Sequence, residues 1–380
     1  MPALRVALLT NFIPPYRVPL YEEIQRRCSE FRIFVSATTE SNREWIPEWS
    51  SLPVKLQRSI ALRGLWRHPN RFSEPLTLHV PYDTIPQLIR FRPDVVISAE
   101  LGMRTAQAAA YRQLNTKSKL VIWATLSDTT EQGRGVLRRW LRPKILRHAD
   151  SVIINGAGGV RYLRQLGVDP ASMFRAPYTT DLAPFLSLPT ERPDPVRHRL
   201  LYSGSLTHRK GLLLFLPVLS EWALKNPERQ VELVVAGHGP LFPEMSCFRA
   251  PDNLKLKLVG PVPYIQVPDI YRDGGILVFP TLADEWGMVV TEAMAAGVPV
   301  LGSLYSQAVE ELVIDGRNGW TFRPDRPAEM FAALGRALNT PRETVNQMAV
   351  HARATARETT PSTVAESVCS AMEYARRVAC

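Results

Sequence analysis

The chain has 380 residues, 45% of them hydrophobic and 22% charged, a composition typical of globular proteins and a length that suits two domains better than one. Its four cysteines are scattered without paired spacing, which argues against a disulfide framework or a zinc site and is typical of a reducing compartment. The chain opens without a charged-then-apolar leader and contains no apolar run of about 18 residues. We therefore expect a cytoplasmic protein.

The net charge of +10 belongs to the first half of the chain. Residues 1–190 hold 26 Lys and Arg against 15 Asp and Glu, whereas residues 191–380 hold 20 against 21. This asymmetry predicts that one domain faces an anionic surface or substrate. Because the sequence indicates no basic run interleaved with aromatic residues on a sheet, and no zinc module, a membrane surface or phosphorylated lipid is favoured over nucleic acid. Simple solubility is the alternative.

Short apolar, β-branched runs alternate with helical patterns along the chain. The first half predicts strands at 5–11, 31–37, 94–99, 119–125 and 151–155, with helices near 19–27, 81–91, 104–114, 135–147 and 158–166. The second half predicts strands at 199–205, 231–237, 254–260, 275–280 and 298–303. Runs that are apolar at consecutive positions indicate strands covered on both faces, as in parallel sheets wrapped by helices. The sequence therefore predicts two doubly wound α/β domains, joined by a proline-rich linker at 183–199, with a ligand in a cleft at the carboxyl ends of the strands.

Two segments of the first half carry arginines beside aromatic residues. The first, residues 38–80, contains Trp45, Trp49 and Trp66 among Arg58, Arg63, Arg67 and Arg71 and shows little periodicity. The second, residues 134–148, has an apolar stripe at Leu137, Leu141 and Ile145, next to Trp140 and five arginines. For each segment, packing within its own domain and contact with lipid headgroups are both open interpretations.

The stretch "YSGSLTHRKG" (202–211) places two cations before a helix. A strand ends at Gly204, and Arg209 and Lys210 directly precede Gly211, where the helical pattern begins. Cations are unfavourable at a helix N-terminus, which already carries partial positive charge. A bound anion such as a pyrophosphate removes this conflict. The alternative is a pair of solvated surface cations.

The stretch "TLADEWGMVVTEAMAAG" (281–297) predicts a second helix start beside acidic residues. The backbone N–H groups expected at that start are those of Gly287, Met288 and Val289, which would form another anion cradle. Glu292, one turn into the helix, would reach a pair of vicinal hydroxyls such as those of a ribose. The alternative is that Glu292 complements the helix dipole and that Asp284 and Glu285 belong to a solvated loop.

The second half resembles the donor-binding domain of glycosyltransferase family 4, which has the GT-B fold of two Rossmann-like domains facing a central cleft. The matching stretches are "SGSLTHRKG", "LVVAGHGPL", "LVGPVP" followed by "VPDIYRDGGILVFPTLADEWGMVVTEAMAAGVPVLGS", and "VIDGRNGWTF". The resemblance implies that Arg209 and Lys210 bind the donor pyrophosphate, that Glu292 binds the ribose and that the first acid contacts the donor sugar. The strand-end glycines Gly204 and Gly237 belong to the same expected substrate site.

Two departures from the family pattern leave questions open. Asp284 stands where the family usually has Glu, and Glu285 stands where it usually has Gly or Pro, so either carboxylate could face the sugar. The family's N-terminal glycine-rich loop is replaced by "NFIPPYRVPL" (11–20), from which Arg17 is expected to meet donor phosphate across the cleft.

The resemblance implies a retaining glycosyltransferase that moves a sugar from a nucleotide-diphosphate sugar to a hydroxyl of a glycan or lipid-linked acceptor, in cell-surface polysaccharide or glycolipid biosynthesis. No D-x-D motif occurs, so we expect no metal cofactor. The predicted domains are an acceptor domain at 1–188, a donor domain at 189–360 and a final helix at 361–380 that packs back on the first domain. A nucleotide-sugar epimerase and a catalytically silent sugar-nucleotide-binding homologue are the alternatives.

Overall fold

The computed structural model describes residues 4–39, 49–193 and 198–378, so Trp45 of the first aromatic segment lies outside the described residues. Contacts divide the chain into two compact units. The N-terminal unit comprises Met1–Pro69, Ser73–Asp181 and Thr359–Cys380, and the C-terminal unit comprises Asn70–Phe72 and Leu182–Glu358.

The N-terminal unit is built on a seven-stranded parallel sheet. Its strands are β1 (Arg5–Thr10), β2 (Glu30–Val35), β3 (Val54–Leu56), β6 (Val95–Ala99), β7 (Lys119–Ala124), β8 (Ser151–Ile154) and β9 (Met173–Arg175), and a separate two-stranded sheet pairs β4 (Ser59–His68) with β5 (Phe72–Pro81). The strand order is β3-β2-β1-β6-β7-β8-β9. The helices of the first half are α1 (Val18–Arg26), α2 (Thr84–Phe91), α3 (Met103–Leu114), α4 (Val136–Leu146) and α5 (Ala157–Gln165).

Helices cover both faces of this sheet, as the consecutive apolar runs predict. In β1, Val6 and Leu8 belong to one buried cluster while Ala7 and Leu9 belong to another, because successive side chains of a strand point to opposite faces. All four side chains are fully buried. A strand enclosed on both sides has no polar face, which explains why its sequence shows no alternation.

The C-terminal unit contains a six-stranded parallel sheet. Its strands are β10 (Leu200–Ser203), β11 (Val231–Ala236), β12 (Leu254–Gly260), β13 (Ile276–Phe279), β14 (Val300–Ser303) and β15 (Gly319–Phe322), in the order β12-β11-β10-β13-β14-β15. Its helices are α6 (Ala183–Leu186), α7 (Leu212–Lys225), α8 (Phe242–Ser246), α9 (Val267–Arg272), α10 (Met288–Ala295), α11 (Gln307–Leu312), α12 (Pro327–Asn339) and α13 (Arg342–Ala356). The α/β architecture predicted for both halves is confirmed.

The last helix, α14 (Pro361–Arg377), belongs to the N-terminal unit. A capping box between Thr360 and Thr363 starts it, and its apolar side buries Val368 and Met372 in the same cluster as Val6 and Leu8 of β1. The unit boundary falls between Asp181 and Leu182, before the proline-rich stretch 183–199 that was expected to be a linker. The reason is that α6 buries Phe185 against Tyr271, with ring centroids 5.6 Å apart.

The segment 38–80 shows little periodicity in the sequence, but its described part contains β3, β4 and most of β5. Trp66 is buried, and its indole N–H donates to the backbone oxygen of Gln132 at 2.8 Å. Trp49 packs against the core. Exposed apolar side chains such as Ile60 and Leu62 conceal the strand pattern, because the two-stranded sheet is not covered on both faces.

Each sheet has one point at which the strand order reverses. In the N-terminal unit it lies between β1 and β6, and in the C-terminal unit between β10 and β13. Ligands of doubly wound folds bind outside the carboxyl ends of the strands at such a point. The residues that follow these four strands are therefore the candidates for a ligand site. Among the described residues, no helix combines the length and apolar character that crossing a bilayer requires.

Candidate functional site

Two loops meet at the carboxyl ends of β10 and β13. The loop after β10 contains a short 3₁₀ turn, His208–Lys210, and then Gly211 at the start of α7. The backbone N–H of Leu282, in the loop after β13, donates to the backbone oxygen of Arg209 at 2.8 Å. Gly211 has a φ of 72°, and a Cβ there would lie 2.0 Å from the backbone oxygen of Pro280. Glycine thus lets the two loops touch and brings Arg209 and Lys210 beside the acidic stretch.

Arg209 and Lys210 face the acids of that stretch. The ammonium group of Lys210 donates to the carboxylate of Asp284, and Arg209 Nη1 lies 3.9 Å from Asp284 Oδ2 and 3.7 Å from Glu285 Oε2. Burial disfavours the charged carboxylate of Asp284, but Lys210 and Arg209 outweigh it and lower its pKa. The protein itself therefore supplies counter-charge for the two cations, a role that the sequence analysis gave to a bound anion.

The glycines Gly204 and Gly237 lie side by side at the ends of β10 and β11. Gly237 has a φ of 144°, and a Cβ on it would lie 1.9 Å from the backbone oxygen of Gly204. The backbone N–H of Gly204 donates to Ala236, and that of Gly237 donates to Gly260, at 3.0 and 2.7 Å. Neither glycine has a side chain to cover this edge of the sheet, so a ligand could approach the backbone closely.

Helix α10 begins at Met288 and Val289, directly after Gly287. Gly287 has a φ of 108°, and a Cβ there would lie 2.7 Å from the Phe279 ring and 2.9 Å from Ser306 Oγ. Among the described residues, no side chain caps this helix start. The first N–H groups of a helix have no acceptor within it and carry partial positive charge, which suits an anion.

Glu292 lies inside α10 and is only 4% exposed. Its Oε2 accepts a hydrogen bond from the Tyr271 hydroxyl at 3.0 Å, and no cation forms an ion pair with it in the described part of the chain. Burial raises the pKa of Glu292 to about 7, although the Tyr271 hydrogen bond opposes this. Tyr271, on α9, is the partner that the sequence analysis missed; the motif stretch preceding β13 contains it, but nothing in that stretch indicated a contact with Glu292.

Arg17 lies in the N-terminal unit and is 5% exposed. Its guanidinium carbon lies 3.8 Å from the centroid of the Tyr178 ring and 5.0 Å from that of Trp123. Its Nη1 has no hydrogen-bond partner among the described residues. The expected encounter of Arg17 with donor phosphate stays a prediction, and the structure adds that this side chain is buried between aromatic rings.

Within the residues that the structure describes, no three His, Cys, Asp or Glu side chains form a group able to hold a metal ion.

Comparison with known protein families matches both units. Residues 13–179 match the family described as glycosyl transferase 4-like domain, and residues 197–340 match glycosyl transferases group 1. The chain therefore belongs to glycosyltransferase family 4, whose members have the GT-B fold.

Curated relatives include D-inositol 3-phosphate glycosyltransferase 2 of Catenulispora acidiphila, 29% identical over 153 residues that cover 37% of this chain and 35% of that protein. Alpha-D-kanosaminyltransferase of Streptomyces kanamyceticus is 28% identical over 144 residues, covering 37% of this chain and 36% of that protein. The chain thus aligns with little more than a third of the length of these relatives.

Solved structures resemble the chain over nearly its whole length. Anabaena HepE in complex with UDP aligns with a TM-score of 0.71 and 15% identity, covering 97% of this chain and 100% of that one. Sucrose-phosphate synthase of Thermosynechococcus elongatus aligns with a TM-score of 0.68 and 15% identity, covering 96% and 98%. At these identities the likeness establishes the fold.

Proposed function

We propose that the protein is a retaining glycosyltransferase that transfers a sugar from a nucleotide-diphosphate sugar to a hydroxyl group. The observation that carries the proposal is the convergence, at the β10/β13 reversal point, of Arg209, Lys210, the start of α10 and the buried carboxyl of Glu292. HepE, which shares the fold, has been solved with UDP and with UDP-glucose. That likeness supports a nucleotide sugar as the donor.

The proposed roles follow from charge and position. Arg209, Lys210 and the N–H groups of Met288 and Val289 hold the diphosphate and stabilise its charge as it departs. Glu292 accepts hydrogen bonds from the hydroxyls of the nucleotide's ribose. Its pKa of about 7 means that the accepting carboxylate is populated at neutral pH and above.

The sugar-facing carboxylate is either Asp284 or Glu285. The Asp284 side chain is 9% exposed and is held by Lys210, whereas the Glu285 side chain is 32% exposed and its Oε2 lies 3.7 Å from Arg209 Nη1. Retention of configuration follows if the acceptor hydroxyl attacks the face that the diphosphate leaves. The departing phosphate then accepts the hydroxyl proton, and no base from the protein is required.

The acceptor is a glycan or a lipid-linked glycan, reached at the cytoplasmic face of an anionic membrane. In support, Val136, Leu137 and Trp140 are 71%, 68% and 58% exposed at the start of α4, next to Arg138 and Arg139. Apolar side chains beside arginines suit a lipid surface. Vesicles of phosphatidylcholine containing phosphatidylglycerol should pull down the wild-type protein but not the Trp140→Ser variant. The matched control is Leu224→Ser in the C-terminal unit, where Leu224 is 68% exposed, and it should sediment with the vesicles like the wild type.

Thermal unfolding with UDP-, GDP-, ADP- and dTDP-sugars tests donor binding. A donor at 100 times its dissociation constant stabilises by about 2.7 kcal/mol, which for a unit of this size raises the unfolding temperature by roughly 5–10 °C. Products formed from the selected donor then separate the alternatives. An epimerase changes the sugar nucleotide without an acceptor, a silent homologue leaves it unchanged, and NMR of the new glycosidic bond reports retention. An inverted anomer would contradict the proposal.

A further inference from the structure

Glu100 has an unusual backbone conformation at the end of β6. Its φ is 74°, in the left-handed region that non-glycine residues rarely adopt. Two other described non-glycine residues have positive φ: Arg71 lies in the turn between β4 and β5, and Arg92 caps the C-terminus of α2, where this conformation is ordinary. Glu100 follows a strand instead. Strained conformations of this kind persist where the surrounding structure enforces them, and they concentrate at functional sites.

A chain of hydrogen bonds holds the side chain of Glu100 in place. The amide nitrogen of Asn11 donates to the Glu100 carboxylate, and the amide oxygen of Asn11 accepts from Arg104. Arg104 is 3% exposed, and its Nη2 also donates to Ser36 Oγ at 2.8 Å. The side chains that follow β1, β2 and β6 thus fix one another through a buried arginine.

This cluster occupies the point where the strand order of the N-terminal sheet reverses. Asn11 directly follows β1, and Glu100 directly follows β6. Ligands of doubly wound sheets bind outside the carboxyl ends of the two strands at this point. Glu100 itself is an exposed residue, so its carboxylate can meet a ligand.

The charges around Glu100 are unbalanced. Burial disfavours the charged form of the Glu100 carboxyl and raises its pKa, while the guanidinium groups of Arg104, Arg138 and Arg134 attract the carboxylate and oppose that rise. Arg134 is held in position by the Trp66 ring, 3.6 Å from its guanidinium carbon, and by the backbone oxygen of Thr130. Arg138 forms no ion pair within contact distance among the described residues. One carboxylate among three guanidinium groups suits a ligand with a hydroxyl that donates to the carboxylate and an anionic group that binds the arginines.

We propose that Glu100 binds a hydroxyl of the acceptor, and that Arg138 and Arg134 bind a phosphate group carried by the same molecule. The inference rests on the proposed transferase function and names the chemistry of its acceptor: a hydroxylated compound that bears phosphate. A water-soluble sugar phosphate and a lipid-diphosphate-linked sugar share this chemistry.

The experiment measures binding of glucose 6-phosphate and of a short-chain prenyl diphosphate glucose to the full chain, each with and without the donor selected by thermal unfolding. Neutral glucose is the matched ligand without phosphate. We expect at least one phosphate probe to bind, and Glu100→Gln, which keeps the side-chain length and the contact with Asn11, to weaken it at least tenfold. Arg138→Ala should weaken the phosphate probes but not glucose, whereas Arg164→Ala, an exposed arginine on α5 outside the cluster, should match the wild type. The probe that binds with the higher affinity identifies whether the phosphate belongs to a water-soluble sugar phosphate or to a lipid diphosphate.

The readouts separate this inference from the proposed function. Failure of every sugar nucleotide to bind would overturn the proposed function, yet probe binding without donor would still report on Glu100. If donors bind and transfer occurs while Glu100→Gln behaves as wild type toward both probes, or if neither probe binds, the inference is overturned. Glu100→Gly, which removes the carboxylate, should lose probe binding, whereas Glu100→Gln, which keeps the contact with Asn11, should lose binding without a clear fall in unfolding temperature. A clear fall in Glu100→Gln would mean that Glu100 serves the fold, and would also overturn the inference.

Discussion

The charged side chains at the reversal points of the two sheets are balanced in one unit and unbalanced in the other. In the C-terminal unit, Arg209 and Lys210 are matched by Asp284 and Glu285. The remaining acid, Glu292, is buried against Tyr271 and pairs with no cation among the residues that the structure describes. In the N-terminal unit, Glu100 is surrounded by three arginines and is held by an amide. The same topology therefore carries a nearly neutral ion cluster in one unit and a positively charged one in the other.

This difference shows how two sites of similar architecture can bind different ligands. In the C-terminal cluster, an incoming diphosphate must compete with carboxylates for Arg209 and Lys210, so the cations are positioned in advance but their charge is moderated. In the N-terminal cluster one carboxylate, that of Glu100, faces three guanidinium groups, so positive charge is in excess and favours an anionic ligand.

The largest effect is expected from the cations of the C-terminal cluster. Arg209→Ala and Lys210→Ala should each slow transfer by about two to three powers of ten, because each removes a preorganised donor to the departing diphosphate. Steady-state kinetics with the selected donor measure this. Lys225→Ala is the control, since Lys225 pairs with Glu221 on the exposed side of α7. Full activity in both cluster variants would rule out the anion site.

A smaller effect is expected at Glu292. Glu292→Gln keeps the shape but loses charge-assisted hydrogen bonds of about 1.5–3 kcal/mol. Affinity should fall equally for the sugar nucleotide and for the bare nucleotide diphosphate, as isothermal titration would measure. In the wild type, affinity should rise between pH 6 and 8 as the carboxyl ionises through its pKa of about 7. A nucleotide affinity that Glu292→Gln leaves unchanged would remove Glu292 from the site.

Glu292 should also destabilise the unliganded protein at neutral and higher pH. Its pKa is raised from 4.5 to about 7 on folding, so the folded state retains a proton that the unfolded state releases. The contribution of Glu292 to the free energy of unfolding is therefore greatest below pH 4.5 and falls by roughly 3 kcal/mol as the pH rises to 7. Urea denaturation at pH 5 and pH 8 should show this loss in the wild type and not in Glu292→Gln. Equal pH dependence in both proteins would contradict the burial argument.

The two reversal points also differed in how much the sequence revealed. Ten strands were predictable, most of them because strands covered on both faces carry consecutive apolar residues, and Arg209, Lys210 and Glu292 stood in motifs near their ends. The edge strands β3, β9 and β15 were missed, and so were β4 and β5, whose side chains are largely exposed. Glu100 had no motif. Its backbone strain and its contact with Asn11, 89 residues away, exist only in the folded chain.

A still smaller effect should distinguish the two neighbouring acids. Asp284→Asn and Glu285→Gln should each spare affinity for the nucleotide diphosphate, but only the variant of the sugar-facing acid should lower turnover, by about tenfold. Because Asp284 is buried against Lys210, Asp284→Asn should also lower the unfolding temperature, whereas Glu285→Gln should not. Comparing turnover at a temperature well below both transitions separates chemistry from stability. Unchanged turnover in both variants would mean that these acids serve only to balance the cations.

Removal of divalent metal is expected to have no effect on transfer, the smallest effect in this series. If Arg209, Lys210 and the start of α10 stabilise the departing diphosphate, they take the place of a cation bridging carboxylates to phosphate, so transfer should continue in EDTA. The rate should be measured after dialysis against EDTA and again after adding Mg²⁺ or Mn²⁺. A further arm uses Lys210→Ala, in which a divalent ion could replace the lost positive charge. Partial rescue of that variant by Mg²⁺, with a wild type that ignores the metal, would show that Lys210 provides the charge. Loss of wild-type activity in EDTA with recovery in Mg²⁺ would instead assign charge stabilisation to a metal, and the ion cluster of the C-terminal unit would then be a structural feature alone.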